Sequence, residues 1–166
     1  MGDEPTHGAL SREEAHPRAR AALPEFIWDT GDPSSPFGDE TGIEVLDALY
    51  DFRAEDPRGN PIALLDELLA RWEVPSDHWE VVDEAAVEAL GREDELGLLL
   101  RDEAVLALAF AQIIVEGRVE PEVRRRAMLA LTRQALPALL HGAREPARTR
   151  AARLEQMREA LALRWD

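Results

Sequence analysis

The chain has 166 residues, with 34 acidic against 19 basic side chains, a net charge of −15 and no cysteine. Disulfides, thiolate metal sites and cysteine nucleophiles are thereby excluded, and general binding to nucleic acid through a phosphate-neutralising surface is disfavoured. At 45% apolar and 32% charged, the composition is that of one globular domain large enough to bury a core.

All 19 basic residues are arginine, which together with the abundance of Ala, Leu, Glu and Pro reads as codon bias in a GC-rich genome. Residues 1–100 carry 25 acids and 7 arginines, net −18, whereas residues 101–166 carry 9 acids and 12 arginines, net +3. This imbalance predicts two halves that complement each other within the fold. A second reading leaves an acidic face for a basic partner.

Residues 1–22 are polar, contain Pro5, Gly8 and Pro17, and are expected to form a flexible tail before a single helical domain, 23–166. They hold no apolar secretory core, so a cytoplasmic protein is expected. Phe26, Ile27 and Trp28 form a short apolar run, expected as an extended segment near 25–29.

The loop that follows, through Gly31-Asp32-Pro33-Ser34-Ser35-Pro36, is rich in turn formers. It carries Trp28 and Phe37 among the acids Glu25, Asp29, Asp32, Asp39 and Glu40. Two readings stand side by side. Clustered carboxylates suit a hard cation or a small ligand, although the spacing is not that of an EF-hand. Alternatively, Trp28 and Phe37 plug the core while Asp39 or Thr41 caps the next helix.

Helices are predicted at about 40–54 and 61–72, the latter opened by the cap Asn60 and by Pro61. A third, 84–90, is expected after the cap Asp83 and before Gly91. In the stretch Asp102–Gly117, DEAVLALAFAQIIVEG, every residue from Ala104 to Val115 but Gln112 is apolar, which predicts a buried central helix over about 102–116. Asp102 is its expected N-cap and Gly117 its left-handed terminator. It is too short to span a bilayer. A helix over 121–141 should kink at Pro137. The last, 145–165, has an apolar stripe of Ala147, Ala151, Leu154, Met157, Leu161 and Trp165.

Catalytic signatures are missing from the sequence. His7, His16, His78 and His141 are scattered, and the four serines (11, 34, 35 and 76) fall in loops or tail. No nucleophile elbow, phosphate loop, dinucleotide fingerprint or zinc-protease motif is present. His78, beside Asp77 and Trp79, reads as a surface histidine. Arg124-Arg125-Arg126 reads as a partner for the acidic half, with anion binding as the alternative.

Two pieces carry a family resemblance. Trp28-Asp29 followed by Pro36-Phe37-Gly38-Asp39 and Gly42, with the AFAQI helix and its Gly117 turn, resembles the YfeS-like family of uncharacterised bacterial proteins. The resemblance covers most of residues 25–135. Longer members carry a WGR domain, which is not read in these residues, and the resemblance implies no established activity.

The expected fold is therefore all-α, a compact bundle of five to six helices around 102–116. The expected function is that of a non-catalytic, acidic interaction module, of the immunity or inhibitor type, that covers a protein partner with a basic surface. The alternative is a divalent-cation or small-ligand binder using the 25–40 loop. No cofactor, nucleic acid or membrane is expected. The residues expected to meet a partner or ligand are Trp28, Asp29, Asp32, Phe37, Asp39 and Glu40.

Overall fold

The computed structural model describes residues 10–166. Among them the fold is all-α: α1 (Pro17–Ala22), a 3-10 turn (Glu25–Trp28), α2 (Glu40–Glu55), α3 (Pro61–Arg71), α4 (Glu84–Glu116), α5 (Pro121–Gln134), α6 (Pro137–His141) and α7 (Ala147–Leu161). None of these helices is long and apolar enough to cross a membrane.

The core is built around α4. Every residue from Ala104 to Ile114 is buried, with α2 and α5 making the most extensive contacts to it. Gln112, the one polar side chain in that run, has an explicit task. Its amide accepts from the Glu120 backbone N–H (3.1 Å) and donates to Glu116 (3.2 Å), fixing the α4–α5 turn. A buried amide without such partners would cost about 1–3 kcal/mol.

The central helix begins earlier than its apolar pattern suggests. Asp94 breaks α4 with φ −156° and ψ 78°, and its carboxylate caps Gly97 N–H at 3.0 Å. Gly91 lies inside the helix rather than ending it. Asp102, expected as the cap, sits in mid-helix at 1% exposure. Its carboxylate accepts from Arg133 Nη2 (2.8 Å) and Nε (3.1 Å) and from Gln134 Nε2 (2.7 Å). Arg133 also donates to the carbonyls of Trp79 (2.7 Å) and Val81 (3.0 Å). One buried ion pair thus joins α4, α5 and the α3–α4 connection.

The other corrections have local causes. Residues 10–22, expected within a loose tail, pack on α4: Ala15 and Ala19 are buried, and His16 N–H donates to Ile114 O at 2.8 Å. Residues 1–9 lie outside the described part. Gly117 ends α4 at φ 69°, and a Cβ there would come within 2.4 Å of the His16 ring, so glycine both permits the turn and seats α1. The 25–29 segment is a 3-10 turn rather than extended. Pro137 separates two helices instead of kinking one, because it offers no N–H and disfavours helical backbone before it. Trp165 lies beyond the end of α7, yet it is buried and donates to Ala160 O at 2.7 Å.

Candidate functional site

The 25–40 loop is a built structure, and most of its acids are engaged in holding it together. Ser35 Oγ donates to Ile27 O (2.7 Å) and accepts from Phe37 N–H (3.1 Å), which drives the Phe37 ring fully into the core. Asp29 accepts from Gly31 N–H at 2.9 Å. Asp32 accepts from Ser34 N–H at 2.8 Å and from Arg153 at 3.2 Å. Asp39 caps α2 through Gly42 N–H at 3.0 Å. A Cβ on Gly42 would lie 1.8 Å from the Pro36 carbonyl oxygen, so this spacing requires glycine.

Trp28 is half-buried against the core, with the Arg12 guanidinium 5.3 Å from its ring centroid and its Nε1 buried without a hydrogen-bond partner among the described residues. Of the six expected site residues, Phe37 is a core plug and Asp32 and Asp39 are structural. Only Asp29 and Glu40 are well exposed. Among the described residues, no group of three or more His, Asp or Glu is arranged to hold a metal ion. The carboxylates serve separate turns instead of converging.

What the loop does bring together is a carboxyl pair. Glu103, on the face of α4 turned to the loop, meets Asp39, and its carboxyl is pushed up to about 7 by burial and by that neighbouring carboxylate, against the pull of Arg144 and Arg150. The sequence offered no sign of this, because Glu103 looks like an ordinary first-turn acid. An open cavity of about 680 Å³ lies alongside, with Phe37 and Ile43 as apolar lining and Asp39, Glu40 and Glu44 as acidic lining.

The acids continue along α2. Glu40, Glu44, Asp47, Asp51 and Glu55 follow at steps of 4, 3, 4 and 4, which places them on one helix face. Four of them are exposed, and Asp47 is half-buried. Among the described residues Glu40, Asp51 and Glu55 have no ion-pair partner, and Glu44 accepts only the Trp72 indole N–H at 3.1 Å. Arg53, the one arginine on α2, turns away to Glu116.

A larger cleft, of about 1050 Å³, opens where the α2–α3 loop, the α4–α5 turn, α5 and the end of α7 meet. Its walls carry six arginines, at positions 53, 58, 118, 124, 125 and 158. They are scattered in sequence, and only the run at 124–126 announced any of them. One member of that run has the expected partner in the acidic half, Arg125 with Glu80 (2.8 Å), while Arg125 (2.7 Å) and Arg126 (2.9 Å) also pair with Glu122 on their own helix. His78 lies in neither cavity; it is exposed, at φ 63°. Compared with family models, with curated proteins and with solved structures, the chain matches none of them.

Proposed function

We propose that the protein is a non-catalytic interaction module that presents the acidic face of α2 to a partner protein with a basic surface, in the manner of an immunity or inhibitor protein. One observation carries the reading: five acids line a single helix face with no arginine among them. Like charges four residues apart destabilise a helix by roughly 0.2–0.5 kcal/mol per pair. A row whose exposed members Glu40, Asp51 and Glu55 have no ion-pair partner among the described residues is therefore a cost within the isolated chain, and a basic partner would remove it. Such a face would also accelerate association, with a strong dependence on ionic strength.

The exposed members of the row replace most of the residues first expected to make contact. Glu40 and Asp29 remain available at its N-terminal end, while Phe37 and Asp39 support it from behind. Cation binding at the loop is the weaker reading, since Asp29, Asp32 and Asp39 are each committed to a backbone N–H. The YfeS-like resemblance is retained as a proposal of kinship and adds no activity.

The test is affinity capture from native extract at low salt, comparing the native protein with Glu44→Arg/Asp51→Arg. The expected result is a basic protein held by the native chain, released by salt, and bound at least about 10-fold more weakly by the variant. Equal capture by both proteins, or no capture at low salt, would sink the reading.

A further inference from the structure

We propose that the arginine-lined cleft is a binding site for a small molecule carrying two or more phosphate groups. In a chain of net charge −15, six arginines converging on one cavity of about 1050 Å³ is the reverse of what composition alone would distribute.

What matters is which guanidiniums remain available. Arg53 is committed to Glu116 and to Gly59 O (2.7 Å), and Arg125 to Glu80 and Glu122. The other four are not neutralised. Arg58 and Arg124 have no ion-pair partner among the described residues, and Arg118 reaches Glu116 only at 3.8 Å. Arg158 donates to the Thr132 hydroxyl at 2.7 Å and to no carboxylate. The walls also carry two acids, Asp166 and Glu120, the latter's carboxylate accepting from Glu122 N–H (2.8 Å) and Val123 N–H (3.1 Å) as the cap of α5.

Six arginines against these two acids leave the walls net positive, and it is local balance that a bound ligand feels. At physiological ionic strength exposed charges are largely screened beyond about 8 Å, so the net charge of −15 on the whole chain does not set the potential within the cleft. Planar guanidiniums bind phosphate oxygens in bidentate fashion, and four of them spread over a wide cavity fit several phosphate groups better than one. Val119, Met128 and Leu129 supply apolar wall for the body of such a molecule. Arg53 contributes indirectly: by holding Gly59 O it orders the turn that carries Arg58.

The first experiment follows thermal unfolding with inorganic pyrophosphate against sodium chloride of matched ionic strength. The expected result is a saturable rise in melting temperature with pyrophosphate at millimolar concentration or below, which chloride does not reproduce. The rise should be at least halved in Arg58→Gln/Arg124→Gln and retained in Arg148→Gln, whose arginine lies outside the cleft. Should the double variant fold poorly, the native protein still decides the matter. Phenylglyoxal labelling read by peptide mass spectrometry should show Arg58 and Arg124 protected by pyrophosphate at least 3-fold, and Arg148 unprotected. No saturable shift, or labelling that pyrophosphate leaves unchanged, overturns the proposal. So does a short single-stranded oligonucleotide that binds more tightly than pyrophosphate, since the cleft would then serve nucleic acid.

Discussion

At the scale of single residues, the most informative side chain is Glu103. Its carboxyl is raised from 4.5 to about 7 by burial and by Asp39, so the folded chain holds a proton there that the unfolded chain has released. The sign follows from proton counting. Between pH 4.5 and about 7 the native state binds more protons, so this group's contribution to stability is complete below 4.5 and is lost as pH rises through 7. Glu103→Gln keeps a donor for Asp39 and removes the titration. The variant should match the native protein near pH 4.5 and exceed it at pH 8 by roughly 2 kcal/mol, a figure reduced for partial solvent screening. Urea unfolding at the two pH values measures it, and a gap independent of pH would refute the assignment.

The loop beside it shows what sequence can and cannot convey at this scale. That Asp39 or Thr41 caps α2 and Phe37 plugs the core stood as one of two readings, because capping and burial follow from local residue type, while Phe37 and Asp39 were also expected to meet a partner or ligand. That Asp32 and Asp29 serve turns inside the loop was not legible, because a carboxylate bound to a nearby N–H and one facing solvent have the same local sequence. Gly42 carried no visible message either. Its reason is a Pro36 carbonyl oxygen brought against it by the loop.

Among elements, the helix pattern was read correctly where apolar periodicity governs or proline opens a helix, as in α2, α3 and the apolar half of α4, though at Pro137 a break stands where a kink was expected. It failed where a polar residue was assigned by type alone. Asp102 has the identity of a helix cap and stands before an apolar run, yet a cap exposed to water and a buried anion differ only in what lies opposite. Here the opposing group is Arg133, 31 positions away and also buried. Breaking a buried pair by removing one partner strands the other charge. Asp102→Ala should therefore destabilise the protein by about 3–5 kcal/mol in urea unfolding. An apolar pair, Asp102→Leu/Arg133→Met, should recover only part of the loss, since it leaves the Trp79 and Val81 carbonyls without their donor. Full recovery would show that the pair acts through charge alone and does not also tie down the α3–α4 connection.

For the whole molecule the question is where the charge goes. The imbalance between residues 1–100 and 101–166 suggested that the two halves neutralise each other, and in part they do. Arg101–Asp77, Arg125–Glu80 and Arg153–Asp32 each join a second-half arginine to a first-half acid. The remainder is segregated: Glu40, Asp51 and Glu55 on α2 have no ion-pair partner among the described residues, while Arg58, Arg118, Arg124 and Arg158 gather in the cleft. Segregation of this kind concentrates like charge within each region, and both regions lose self-repulsion when salt is added. The screening length falls from about 30 Å at 0.01 M salt to about 8 Å at 0.15 M. Raising sodium chloride over that range should therefore stabilise the fold by roughly 1–2 kcal/mol, a rise in melting temperature of about 3–6 °C for a domain of this size. Circular dichroism melts across the series measure it. A melting temperature that falls with salt would mean that attractive pairs dominate, and that the acidic row and the arginine cleft are closer to balance than their separate geometries indicate.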